Sequence, residues 1–386
     1  MKKETRNFAV ATAMLIGTTI GVGIFGVPYA ISQVGLWGAL AYFIVLGGIQ
    51  LLQQLFFAEA AIATPEKLRL VGLVEKWLGR RYKHLATVTA VLGFWASMLA
   101  YMIVGGSFLH VLFGPLVGGS EFAYQVGWGL LGACLTWFGL KVVSRIDFFV
   151  TCGMIILMFV ILAACLGHFD AANLIGFTGH DLFLPYGVIL FSLGGLPAIT
   201  EMEDIFEGKH RSYRTSVVTG TMVAGVLTAV FGFAVWGATG AGVSRDAVSG
   251  LAVVLGSRIH LIAAAFGFMA VYASFFGSAV TLQETFEYDY KASHFTAWMM
   301  TGSVPLALVL AGNKDFVSIV SFSGAVFGGI TAVLVACLYV AVTRKGAVKK
   351  HPLGAPLWLA YVSIAALSLG AAYEVGKSLL EFAAQG

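Results

Sequence analysis

Apolar residues in this chain fall in long runs separated by short polar connections. Eleven runs read as hydrophobic spans, at 8–33, 37–63, 85–113, 122–143, 146–168, 182–206, 213–239, 258–286, 295–312, 316–343 and 355–378. Most exceed about 18 residues, the length at which a helix crosses a hydrocarbon core of roughly 30 Å. The alternating segments of about ten residues that a membrane β-barrel requires are absent from the pattern. The spans therefore predict an all-α integral membrane protein with about 11 transmembrane helices, residues 1–386 forming a single transmembrane domain.

Two connections carry patterns of their own. In "TPEKLRLVGLVEKWLGRRYKH", Leu70, Val71, Val74 and Leu78 share one helical face with basic residues opposite, which predicts a helix lying along the inner membrane surface. Between the seventh and eighth spans, "VSRDAVSGLAVVLGS" reads as a short outer helix over a vestibule or as a plain connecting loop.

Composition agrees with the spans. Of 386 residues, 59% are hydrophobic and 11% charged, and the mean hydropathy of +0.89 excludes a soluble globular domain. "MKKETR" has the charge of a signal-peptide start, but the following apolar run is too long and lacks a clear cleavage site, so a retained first span is expected. With the amino terminus in the cytoplasm, 19 of the 23 lysines and arginines fall on the inner side, leaving only Arg245, Arg258, Lys314 and Lys377 elsewhere. This places the protein in the inner (plasma) membrane with its carboxy terminus outside. The net charge of +4 then reflects orientation and calls for no nucleic-acid partner; the expected partners are the lipid bilayer and a small solute. The four cysteines, Cys134, Cys152, Cys165 and Cys337, lie within spans without metal-type spacing, and no cofactor is expected.

The first span contains "GTTIGVGIFGVP", with Gly17, Gly21, Gly23 and Gly26 ahead of Pro28. "GTTIG" alone is a GxxxG packing pattern, but a single contact face does not need Thr18, Thr19 and the second glycine cluster as well. Freed backbone groups in hydrocarbon cost several kcal/mol each, so a break here requires a cavity or a polar solute. The helix is expected to unwind from Thr19 to Gly23 and to resume towards Pro28, presenting N–H groups and a positive dipole end to an anion such as a carboxylate. The sixth span, "FSLGGLPAITEMED", is interrupted in the same way by Ser192, Gly194, Gly195 and Pro197, and its freed carbonyls from Phe191 to Gly194 suit an ammonium. Five spans separate the two breaks, so the second unit enters the membrane inverted. The expected repeats are 8–168 and 182–343, with 355–378 peripheral. Two such breaks facing each other at midplane form a receptor for an amino acid zwitterion.

"IGTTIGVGIFGVPYA", "LAYMIVGGSFL" and "FSLGGLPAITEME" resemble the first, third and sixth helices of the amino acid, polyamine and organocation transporter superfamily. The Gly-Thr-Thr-Ile-Gly-x-Gly version is most similar to the hydroxy and aromatic amino acid permeases, with the amino acid/auxin permease family next. The resemblance implies the LeuT fold, a 5+5 inverted repeat with discontinuous helices 1 and 6, and ion-coupled amino acid symport by alternating access. It implies that the N–H groups of Gly21, Val22 and Gly23 hold the substrate carboxylate and that the carbonyls of Thr19, Phe191 and Ser192 hold the amino group. Some relatives have serine where Val22 stands, so here the carboxylate is left to backbone contacts. The substrate-site residues expected are Thr18, Thr19, Gly21, Val22, Gly23, Tyr101, Phe191, Ser192, Gly194 and Gly195.

Tyr101 either reaches the substrate or points at a neighbouring helix, and Phe191 either closes over the solute or packs. Ser274, Gly277 and Ser278 share a face of the eighth span and, with carbonyls near Thr19, could coordinate sodium; serines also bond their own helix backbone. Glu59, Glu201 and Glu284 are candidates for proton coupling, Glu201 as well for a cytoplasmic gate. Sodium and proton both stay open, and the resemblance leans towards the proton. The small residues of the sixth span leave room for a neutral or aromatic side chain, with another zwitterion or amine as the alternative. A membrane-embedded enzyme would need clustered histidines, cysteines or aspartates, whereas the eight histidines are scattered at span ends. A channel would need a repeated filter or a subunit ring.

Overall fold

The computed structural model describes residues 3–137, 140–175, 179, 181–206, 210–312, 315–347 and 355–385. Lys2, Lys209, Lys314, Lys349 and Lys350, which enter the charge partition, lie outside the described residues. Among the described residues the architecture is helical throughout, with no strand.

The first span is two helices, α1 (Lys3–Thr19) and α2 (Gly23–Ser32), bent by 57° at the break. The second is α3 (Gly35–Ile62); α4 (Leu70–Leu78) is the short helix of the following connection. The next three spans are α5 (Arg80–Val117), α6 (Glu121–Trp137) and α7 (Leu140–Leu166). The sixth is again double, α8 (Leu184–Ser192) and α9 (Leu196–Phe206), but here the bend stays within 40° and the two halves read as a single interrupted span. There follow α10 (His210–Thr239), the outer helix α11 (Val248–Leu255), α12 (Ser257–Glu284) and α13 (His294–Leu310). The tenth span starts as α14 (Phe316–Phe322), passes through a π-helical stretch at Ser323–Gly328 and continues as α15 (Gly329–Arg344); α16 (Leu357–Gln385) is the eleventh. Among the described residues eight segments are long and apolar enough to cross a membrane, nine with the bent pair, and the 17-residue α6 and α13 complete the expected eleven.

Boundaries differ from the hydropathy reading where helices outrun the apolar stretch. The third helix occupies 80–117, and the fifth starts at Leu140, six residues before its predicted start. Hydropathy reports contact with lipid, whereas the N–H to carbonyl ladder continues as long as the backbone closes its own bonds. The first span resumes at Gly23, not towards Pro28, which lies inside α2. There the missing proline N–H deprives only one carbonyl of its donor.

The α4 helix forms as expected, but its apolar face meets protein. Val71 and Val74 pack with Ala86, Ala90 and Leu334 of α5 and α15. Its first N–H groups are capped from the π-helical turn Thr285–Asp289 that follows α12: Asp289 accepts from Arg69 N at 3.1 Å and from Gly72 N at 2.9 Å. A Cβ at position 72 would stand 2.5 Å from Asp289 Oδ1, so glycine is needed for this approach. One core fills the middle and the α2 half of the bundle, and a second fills the half bearing the amino terminus, where Phe56 stacks on Tyr339 at 4.4 Å.

Candidate substrate and ion site

At the first break the backbone accounts can be written bond by bond. Ile20 N bonds to Ile16 O at 2.9 Å and closes α1; Gly21 N turns back to Thr19 O at 3.0 Å; Ile24 N and Phe25 N bond to Gly21 O and Val22 O. The N–H groups of Val22 and Gly23 are left with no acceptor among the described residues, and the carbonyls of Gly17 and Ile20 with no donor. They are the orphans that any helix end produces, here buried in the middle of the protein. Of the three expected carboxylate donors, Gly21 is therefore already engaged.

The second break shows the complementary pattern. Leu193 N bonds to Ile189 O, Gly194 N to Phe191 O and Ala198 N to Gly195 O. Two of the other freed carbonyls are capped by glutamines of α3, Gln50 Nε2 donating to Leu190 O at 2.6 Å and Gln54 Nε2 to Leu193 O at 3.2 Å. Ser192 O receives no donor among the described residues, while its hydroxyl bonds to Val188 O at 2.6 Å. Of the three carbonyls expected to hold an ammonium, Thr19 and Phe191 each already accept one bond and Ser192 is untouched.

The breaks touch. A Cβ on Gly23 would lie 2.5 Å from Ser192 Oγ and 2.8 Å from Ser192 Cα, and one on Gly195 would lie 2.8 Å from Thr19 Oγ1 and 3.0 Å from Gln54 Nε2. Missing side chains on both sides thus let unwound backbone meet unwound backbone. Beside this junction a cavity with about 1120 Å³ of unfilled space, its open end included, is lined by Thr18, Tyr101, Phe191, Gly194 and Ser278. It extends past Ser97, Thr331 and Thr285 to Arg69, towards the half that bears the amino terminus. Thr19, Gly21, Val22, Gly23, Ser192 and Gly195 form the buried ground next to it. In the opposite half, Phe25, Phe108, Phe231 and Phe266 close the bundle with ring centroids 5.0–6.1 Å apart. Phe191 faces Tyr101 with centroids 6.4 Å apart.

On the α12 side, Ser274 Oγ approaches Thr18 O at 3.4 Å, a long contact for a hydrogen bond. A Cβ on Gly277 would touch the Thr18 side chain at 3.7 Å, and one on Gly21 would lie 2.4 Å from Ser274 Oγ and 3.5 Å from the Tyr101 hydroxyl. From α7, Thr151 brings a buried hydroxyl, without a partner among the described residues, against Gly17. This concentration of neutral oxygens at the end of α1 is the chemistry of a hard-cation site.

Two of the three candidate carboxylates are paired with arginines. Glu59 is held in a two-armed pair by Arg214 of α10, both side chains buried, with Arg214 Nη2 to Glu59 Oε2 at 2.7 Å. Glu284 accepts from Arg69 Nε at 2.8 Å and from Nη2. Burial opposes the Arg69 charge, but Glu284, Glu201 and Asp204 outweigh it and raise its pKa above the ordinary value, so the guanidinium stays charged where it lines the cavity. Its plane also sits over Tyr288 at 5.7 Å. Glu201 is half-buried on α9 and does not line the cavity.

The sequence reading missed Gln50 and Gln54, Thr151, Arg69 as a cavity residue, and the π-helical wall at Ser323, Gly324 and Phe327. Three glutamines within five residues of an apolar span were a readable signal, since buried amides demand partners. Nothing local marks the π-helix.

Comparison with known proteins gives a consistent result. The chain is 20% identical to "Glutamine transporter 2" of Aliivibrio fischeri, over 89% of this chain and 92% of that protein. It is 25% identical to the "Tryptophan-specific transport protein" of Shigella flexneri, over 72% and 70%, and 23% identical to "Tyrosine-specific transport system 1" of Haemophilus influenzae, over 84% and 85%. Among solved structures, MhsT in complex with L-phenylalanine matches with a TM-score of 0.70 at 17% identity, covering 94% of this chain and 98% of that one. Mhp1, a nucleobase-cation-symport-1 family transporter in a closed conformation with bromovinylhydantoin bound, matches with a TM-score of 0.66 at 14% identity, covering 96% and 90%. These likenesses establish the LeuT fold. The tryptophan/tyrosine permease family model matches residues 4–357, and the chain belongs to that family.

Proposed function

We propose that this protein is a secondary active carrier that brings aromatic amino acids into the cytoplasm by alternating access. The observation that carries the reading is the contact of the two breaks at Gly23 and Ser192, with the Val22 and Gly23 N–H groups and the Ser192 carbonyl unspent beside a large cavity. Donors at a helix start suit a carboxylate, and an acceptor on the facing break suits an ammonium. The cavity walls of Phe57, Phe94, Phe191 and Phe327 suit an aromatic side chain, in line with the names of two of the three relatives above, the other being named for glutamine. The cavity lies on the half bearing the amino terminus, which the basic residues assign to the cytoplasm, and the phenylalanine cluster closes the other half. This corresponds to an inward-facing state.

The coupling ion is read as sodium, held by the carbonyl oxygens at the end of α1 together with Ser274 and Ser278, with Thr151 beside them. Pairing of Glu59 and Glu284 with arginines argues against either as the proton carrier. The test is uptake of tryptophan and tyrosine by proteoliposomes under imposed sodium or pH gradients. Accumulation against a gradient that follows sodium is expected. Accumulation driven only by pH would overturn the ion assignment, and downhill flux far above carrier turnover would overturn the carrier reading.

A further inference from the structure

Gln50, Gln53 and Gln54 are all at most 8% exposed, and each amide carries two donor hydrogens and one acceptor oxygen. Gln54 spends both ends on protein, donating to Leu193 O and accepting from the Thr221 hydroxyl. Gln53 is sealed, with neither end partnered among the described residues. Gln50 donates through Nε2 to Leu190 O, and because that carbonyl only accepts, the amide orientation is fixed with its oxygen turned away from α8. No described residue donates to Gln50 Oε1, yet the atom is not sealed in the core. Gln50 lines the cavity, in company with Phe57, Phe191 and Phe327. Once a solute displaces water from these aromatic walls, the amide oxygen keeps a partner only if the solute supplies one.

The position also says which end of the solute it meets. Gly23 packs against Ser192, where the main-chain groups of an amino acid are bound in the reading above. Gln50 packs on α8 at Leu190, two residues earlier and about 200° around the helix from Ser192.

We propose that Gln50 determines specificity: Oε1 accepts a hydrogen bond from an N–H or O–H on the aromatic ring of the substrate, so that indole and phenol side chains are preferred over phenyl. The inference rests on the aromatic amino acid reading. A pocket built around a buried acceptor discriminates against a solute lacking the donor, because the acceptor is then stripped of water and left unpaired.

The experiment measures binding of tryptophan, 1-methyltryptophan, tyrosine and phenylalanine to the purified full-length protein and to Gln50→Met, which keeps the volume and removes the acceptor. The wild type is expected to prefer tryptophan over its methylated analogue, and tyrosine over phenylalanine, by about 3- to 10-fold, the range of a single net hydrogen bond. Both ratios should collapse towards one in Gln50→Met. Ratios that persist in the variant, or all four ligands weakening together, would show that Gln50 only braces Leu190 and would overturn the inference. If Gln50→Met does not fold, the wild-type ratios decide, and the absence of discrimination between tyrosine and phenylalanine overturns it. Failure of the wild type to bind any of the four removes the aromatic reading itself and this inference with it.

Discussion

Gly23→Ala is the smallest change that addresses the junction of the two breaks. The added Cβ would lie 2.5 Å from Ser192 Oγ, 2.8 Å from Ser192 Cα and 3.0 Å from Phe191 Cδ1. The hydroxyl is tied to Val188 O and rotates only by giving up that bond, and the Cα does not rotate at all. Carbon atoms rest at about 3.5–4.0 Å, so the breaks must part by roughly 0.7 Å or more, at an overpacking cost of about 1–3 kcal/mol. Parting them moves the Gly23 N–H relative to the Ser192 carbonyl. Losing about 1.4–2.8 kcal/mol of binding from that misalignment corresponds to a 10- to 100-fold higher Kd for tryptophan or tyrosine. The control is Gly48→Ala on α3, where a Cβ meets nothing within 4 Å, and which should be neutral or stabilising by up to about 1 kcal/mol. Thermal unfolding in detergent reads the stability and calorimetric titration reads the Kd. A folded Gly23→Ala protein with wild-type affinity and an unchanged melting temperature would refute the claim that the breaks bind the solute together.

Glu59→Gln strands the buried Arg214 charge and should cost about 3–5 kcal/mol of stability, while Glu59→Leu combined with Arg214→Leu should recover most of it. If Glu59→Gln instead preserved stability and abolished pH-driven uptake, Glu59 would be a proton carrier. Ser274→Ala and Ser278→Ala should each raise the sodium concentration for half-maximal uptake by at least about threefold, and an unaltered sodium dependence would remove both from the ion site. Asp289→Asn weakens the cap on α4 by about 0.5–2 kcal/mol and should speed amide exchange in residues 69–78; unchanged protection would mean that packing alone holds the helix. At the other face, burial raises the Asp315 pKa but its bonds from Ser318 and the charge of Arg245 outweigh that and hold it below the usual aspartate value. A depressed folded pKa stabilises above the unfolded value and the gain is lost as pH falls through the folded one, so the melting temperature of the wild type should drop more below about pH 4 than that of Asp315→Asn. Parallel curves would contradict it.

Much of this protein was legible in one dimension. The spans, both helix breaks and the short helix at α4 follow from runs of apolar residues and from glycine, serine and proline placed where a helix in lipid is costly to interrupt, whereas the pattern left α11 open between a helix and a loop. Those signals are local, because a transmembrane helix satisfies its backbone within its own segment and advertises every failure to do so. Where the freed groups find partners is not local. Gln50 and Gln54 reach Leu190 and Leu193 across about 140 residues, Arg214 reaches Glu59 across 155, and Arg69 reaches Glu284 across 215. Only the packed bundle decided that Gly21 would spend its N–H on Thr19 while Val22 and Gly23 kept theirs. The same packing turned Glu59 and Glu284 from free carboxylates into arginine partners and opened the cavity on one half of the bundle. A hydrogen bond or an ion pair is settled by ångström-scale distances between helices, and hydropathy along a single chain carries no such distances.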